Sequence, residues 1–108
     1  MGYAANFKAF KTLDRLMVQK RLETGSTGSN YWTDAAGHMV FFEVGREQKD
    51  GAITGSVHRE TRPGNGQVKR AGGFRVEPDG MISRFPCLTK AEIAALNAFA
   101  DGAMFVAV

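Results

Sequence analysis

Few residues in this chain have side chains suited to catalysis: His38, His58, Cys87, Ser56, Ser83 and a scatter of carboxylates. One pairing among them has a chemical rationale. If Asp50-Gly51 forms a two-residue hairpin turn, Lys49 faces Ala52, and counting outward sets Val44 opposite Val57 and Glu43 opposite His58. A carboxylate that orients an imidazole is half of a triad, and Arg75 falls on the neighbouring strand. The other half needs a nucleophile and an oxyanion site. Ser56 and Ser83 have no nucleophile-elbow context, so an enzyme built on Glu43 and His58 ranks behind binding functions.

Cofactor and metal chemistry find less support. The stretch "ETGSTGSN" has glycines at 25 and 28 but no lysine, and it follows a helix rather than a strand, which is not the geometry of a phosphate-binding loop. His38, His58, Cys87 and the acids have no metal-ligand spacing. No cofactor and no metal are expected. The lone Cys87 excludes an intramolecular disulfide and favours a reducing compartment, with a buried structural thiol as its ordinary role.

Basic residues point toward nucleic acid. Net charge is +3 with a sequence pI near 9.3. Lys8, Lys11 and Arg15 recur at helical spacing, and Lys69, Arg70, Arg75 and Arg84 lie on expected strands, a distributed stripe of the kind that phosphate contacts use. The order of helix, antiparallel strands and helix resembles the double-stranded-RNA-binding fold. That resemblance is one of element order, since "LTKAEIAAL", where that family has its basic cluster, carries only Lys90. Single-strand binding would stack bases on Phe41, Phe74 or Phe85, of which Phe74 reads as core. The basic residues are interleaved with Asp14, Glu43, Glu47, Glu60 and Glu77, as on any solvated surface.

A protein interface has a different signature. In "HMVFFEV", Met39 and Phe41 point away from the side shared by Val40, Phe42 and Val44, so apolar residues stand on both faces of one strand. Cover for the second face could come from the Tyr31-Trp32 segment or from a second copy of the chain, which makes a homodimer an explicit expectation. Tyr31, Trp32, Met39 and Phe41 are the interface candidates, because aromatics anchor interfaces. Tyr31 and Trp32 could equally fold back onto the sheet, burial being the usual fate of Trp.

The elements that must position these groups follow from periodicity. Ala9, Phe10, Leu13, Leu16 and Met17 recur near every 3.6 residues, which predicts a helix over 4–23 whose outer flank holds Lys8, Lys11, Thr12, Arg15 and Gln19. "TGSTGSNYWTDAAG" reads as a long loop. Period-two stretches then predict a hairpin around Asp50-Gly51, with Val40, Phe42, Val44, Ile53 and Val57 on one face and Glu43, Glu47, Thr54 and His58 on the other. A second hairpin turns at Pro78-Asp79-Gly80, and Gly72-Gly73 marks a bulge or a close backbone approach. Thr89 and Glu92 form a capping box, with a staple from Leu88 to Ile93, opening a helix over about 90–101 whose stripe is Ile93, Leu96, Phe99 and Ala100. The tail "AMFVAV" reads as a short last strand.

The expected fold is therefore α+β: helix, four-stranded antiparallel meander, helix and a short C-terminal fifth strand, with both helices on one face of the sheet. At 108 residues, 44% hydrophobic and 23% charged, the chain is expected to be one folded domain over 1–108. No stretch reaches the ~20 apolar residues of a membrane helix and none reads as a signal peptide. Asn6 stands where a myristoylation signal wants Ser or Thr, so the expected compartment is the cytoplasm and no membrane partner is expected. Binding through protein contacts, with self-association, is the first functional expectation. Nucleic-acid binding is the second and Glu43/His58 catalysis the third.

Overall fold

In the computed structural model, residues 7–25, 28 and 30–98 are described. Their order is α1 (Phe7–Thr24), β1 (Tyr31–Thr33), β2 (Met39–Glu47), β3 (Ile53–Glu60), β4 (Val68–Val76), β5 (Ile82–Arg84) and α2 (Lys90–Asn97). The strands form one antiparallel sheet in sequence order, β1-β2-β3-β4-β5. The α+β architecture with flanking helices is as the periodicity predicts. A strand not expected from the sequence, β1, precedes the four-stranded meander. Tyr31-Trp32-Thr33, expected as loop, pairs with Met39–Phe41 as an edge strand. The expected C-terminal strand, and Phe99 and Ala100 of the last helix, lie outside the described residues.

The inner face of the sheet holds the core. Val40, Phe42, Ile53, Val57, Phe74, Val76 and Ile82 share one buried cluster with Ala9, Leu13, Leu16 and Met17 of α1 and Leu96 of α2. Four aromatics interlock there: Phe74 stacks on Phe85 at 5.1 Å, Phe42 meets both edge-on at 5.7 and 5.6 Å, and Trp32 lies 6.3 Å from Phe85. Phe74 and Phe85 are thereby withdrawn from any base-stacking surface.

The β2–β3 and β4–β5 hairpins each turn through three residues, as expected at Pro78-Asp79-Gly80 but one more than the two expected at Asp50-Gly51. Gln48 N–H donates to Ala52 O and Gly51 N–H to Gln48 O, while Glu77 N–H donates to Met81 O and Gly80 N–H to Glu77 O. Gly51 and Gly80 take φ of +94° and +91°, the left-handed conformation that closes such a loop and that a side chain disfavours. In both turns the aspartate before the glycine also accepts a backbone N–H two residues on, from Ala52 and Met81. The second turn touches α1, where the Thr12 hydroxyl donates to Gly80 O. Thr12 is therefore buried, not part of the outer flank that its helical position implied.

α2 opens on the expected capping box, with Glu92 N–H donating to Thr89 Oγ1 at 3.1 Å and Thr89 N–H to Glu92 Oε1 at 2.8 Å. Leu88 and Ile93 both pack against the core. At its far end the Asn97 amide accepts from Ile82 N–H and donates to Ile82 O, occupying the place that a further strand would take beside β5. Among the described residues no helix is long and apolar enough to cross a membrane.

Candidate functional site

Register decides which side chains meet on the outer face. The three-residue loop displaces the hairpin by one position, and a bulge at Gly45 displaces it by another, so Glu43 pairs with Ser56 and His58 pairs with Phe41. The two-residue turn that would set Glu43 opposite His58 and Val44 opposite Val57 is thus corrected. Two such shifts together preserve the face, because side chains alternate with period two. Val44 still points inward, opposite Gly55. Beyond the bulge the parity inverts: Arg46 joins Thr54 on the outer side, and Glu47, expected there, pairs with the core residue Ile53.

The outer face at β2–β3 carries a compact polar and aromatic group. Phe41 stacks on the His58 imidazole at 4.7 Å between centroids and 11° between planes. Ser56 Oγ lies 3.0 Å from His58 Nε2, and Glu43 Oε1 lies 3.6 Å from the same nitrogen. In a triad the carboxylate holds Nδ1 while the nucleophile meets Nε2. Here both partners converge on Nε2, so the geometry differs from that of a triad.

Across the sheet, a second bulge at Ala71 sets His58 opposite Arg70 and Ser56 opposite Gly73. Of the two readings of Gly72-Gly73, the bulge falls one residue earlier, while the backbone of Gly55 does come close to Gly73. Arg70 and Arg84 converge on Gly73: their Nη2 atoms lie 3.4 and 3.9 Å from the point where a Cβ on that glycine would stand. Arg84 Nε–H also donates to Gly73 O at 2.9 Å, which orients its guanidinium. Among the described residues neither arginine forms an ion pair.

The other basic candidates are placed differently. Arg75 bonds Glu77 at 2.8 Å and Asp50 at 2.6 Å, contacts that hold its pKa above the ordinary value and leave its charge neutralised. Lys69 pairs with Arg59, whose other partner Val40 is a core residue, so it is on the opposite side of β4 from Arg70. Lys8 and Lys11 are exposed and Arg15 half-buried on α1, whose apolar side joins the inner-face core, away from Arg70 and Arg84. Lys11 Nζ lies 5.2 Å from the Phe7 ring. The single stripe expected from seven basic residues is thus several separate groups.

The interface candidates also divide. Trp32 pairs with Val40 and is 1% exposed in the core, so it does not accompany Tyr31 to the surface. Tyr31 pairs with Phe41 on the outer face and is 39% exposed, beside the half-buried Met39 and Phe41.

One charged group had no sequence signal beyond helical position. Lys20, on the buried side of α1, bridges Glu23 at 2.9 Å and Glu92 of α2, with its ammonium 5.7 Å from the Trp32 ring. Burial alone would lower its pKa, but the hydrogen bonds to Glu92 and Glu23 outweigh it and the net shift is upward. Beside this bridge is an open cleft of about 660 Å³, lined by Trp32, Asp34 and Cys87 among others. Cys87 is exposed rather than the buried structural thiol expected, and partial desolvation of its sulfur raises the thiol pKa, opposite to the shift of an activated thiolate. Among the described residues no three His, Cys, Asp or Glu side chains group so as to hold a metal ion.

No protein-family model matches this chain, and no curated protein and no solved structure matches it either.

Proposed function

We propose that this protein binds single-stranded nucleic acid on the outer face of its sheet. The supporting observation is the juxtaposition, on that face, of the Phe41–His58 stack with Arg70, paired with His58 on the adjacent strand, and Arg84 one strand further on. A half-buried ring beside guanidinium groups that form no ion pair among the described residues offers a base part of a stacking surface and the backbone a counter-charge. Strands about 4.8 Å apart put the two within reach of one short segment of single strand. A duplex, whose bases are already stacked, gains nothing from Phe41.

Fluorescence anisotropy of labelled single- and double-stranded oligonucleotides, titrated at several salt concentrations, tests the reading. Single strands are expected to bind more tightly, with an affinity that falls log-linearly with salt. Absence of binding even at low salt sinks the proposal.

A second reading, an interface for a protein or a second copy of the chain, rests on Tyr31, Met39 and Phe41 lying side by side at β1–β2. Concentration-dependent sedimentation that Tyr31→Ser with Phe41→Ser abolishes would favour it.

A further inference from the structure

We infer that the surface over Gly73 is a phosphate subsite in which one phosphate sits between the guanidinium groups of Arg70 and Arg84. The inference rests on the nucleic-acid reading for its biological ligand, but its geometry is separate from the aromatic stack. Gly73 faces outward between Ser56 on β3 and the two arginines, and it has no side chain to fill the space where their Nη2 atoms converge at 3.4 and 3.9 Å. Two guanidinium groups brought near one point with no carboxylate between them offer a phosphate the planar forks of N–H donors that its oxygens match. Arg84 is held in place by the Gly73 carbonyl, so one half of the clamp is preset.

Ser56 supplies a third donor. Paired strand residues carry their side chains about 5 Å apart on one face, which brings the Ser56 hydroxyl next to the open space over Gly73. When His58 Nε2 carries its hydrogen, it donates to Ser56 Oγ across the 3.0 Å contact and leaves the hydroxyl hydrogen free for a phosphate oxygen. Glu43, 3.6 Å from that same Nε2, favours this tautomer. The Ser56–His58–Glu43 group thus acquires a use that involves no catalysis: it aims a hydroxyl.

The test is an NMR titration of the folded protein with inorganic phosphate at constant ionic strength, run beside oligonucleotide anisotropy. Phosphate is expected to shift the Gly73 and Ser56 amides and the Arg84 Nε–H saturably, where chloride does not. R70Q/R84Q, checked for retained spectral dispersion, should lose those shifts and lower the salt slope of single-strand binding by about 0.7, one phosphate's worth. K69Q, on the opposite side of β4, should leave the phosphate shifts unchanged. Phosphate shifts without any oligonucleotide binding would uphold the subsite and sink the nucleic-acid reading. Oligonucleotide binding with an unchanged slope in R70Q/R84Q, and no phosphate shifts, would overturn the subsite and leave that reading standing.

Discussion

The Phe41 ring lies parallel to the His58 imidazole on the outer face of the sheet, 4.7 Å between centroids. Phe41 is half-buried there, so its removal disturbs the core little. Phe41→Ala is expected to weaken single-strand binding by about 1–3 kcal/mol, the usual worth of a stacked base. Loss of stability should be smaller than the ~3–5 kcal/mol typical of a fully buried phenylalanine. Anisotropy and thermal melts of the same variant separate the two effects, and an unchanged affinity counts against the stacking surface.

Gly55 owes its place to the inner face. A Cβ there would stand 1.9 Å from the Glu43 carbonyl oxygen and 2.6 Å from the Phe74 ring, and backbone cannot yield as a flexible side chain can. Gly55→Ala is expected to cost about 3 kcal/mol or to prevent folding, the upper end of overpacking penalties. Urea denaturation measures it. A loss under about 1 kcal/mol would mean that β2 and β3 are not held in this register.

Glu60 organises the β3–β4 turn. Its buried carboxylate accepts backbone N–H groups from Met39, Gly66 and Gly64 at 2.7, 2.9 and 3.2 Å, which hold its pKa below the ordinary 4.5. A folded pKa lower than the unfolded one stabilises the protein at pH above 4.5, and this contribution disappears as pH falls through the folded value. Glu60→Gln should therefore lower stability at neutral pH and flatten the acid limb of a stability-versus-pH curve. An acid limb unchanged in slope would assign the acid sensitivity to Asp34, Glu77 and Glu92, whose pKa values are also depressed.

Lys20 ties the two helices together through Glu92, the same carboxylate that caps α2. The ammonium is buried, while Glu23 and Glu92 remain partly solvated, which moderates the penalty for leaving them unpaired. Lys20→Ala is expected to cost about 2–3 kcal/mol and Lys20→Met less, because methionine retains the apolar stem against Trp32. The upward shift of Lys20 stabilises the fold below pH 10.5 and is lost as pH rises through its folded value. Urea midpoints of both variants, measured from neutral to alkaline pH, check the ranking and the sign.

By itself the sequence determined what is written in near neighbours. The 3.6-residue recurrence from Ala9 to Met17, the capping box of Thr89 and Glu92, and Pro78-Asp79-Gly80 each act within one turn of the chain and stand as expected. Alternation likewise determined that Val40, Phe42, Val44, Ile53 and Val57 share a face, since a two-position slip leaves parity intact.

The tertiary structure decided what depends on counting across strands or on packing at a distance. One extra loop residue and the bulge at Gly45 gave His58 to Phe41 and Ser56 to Glu43. The need to complete the core beside Val40 turned Trp32 inward and left Tyr31 outside, which adjacency in sequence could not foretell. Arg70 and Arg84 meet only because the Ala71 bulge and the pairing of β4 with β5 bring them to one glycine, while Arg75, equally basic on paper, is neutralised by Asp50 and Glu77. Propensity and capping energies are local, whereas register and charge pairing are set by the whole core at once.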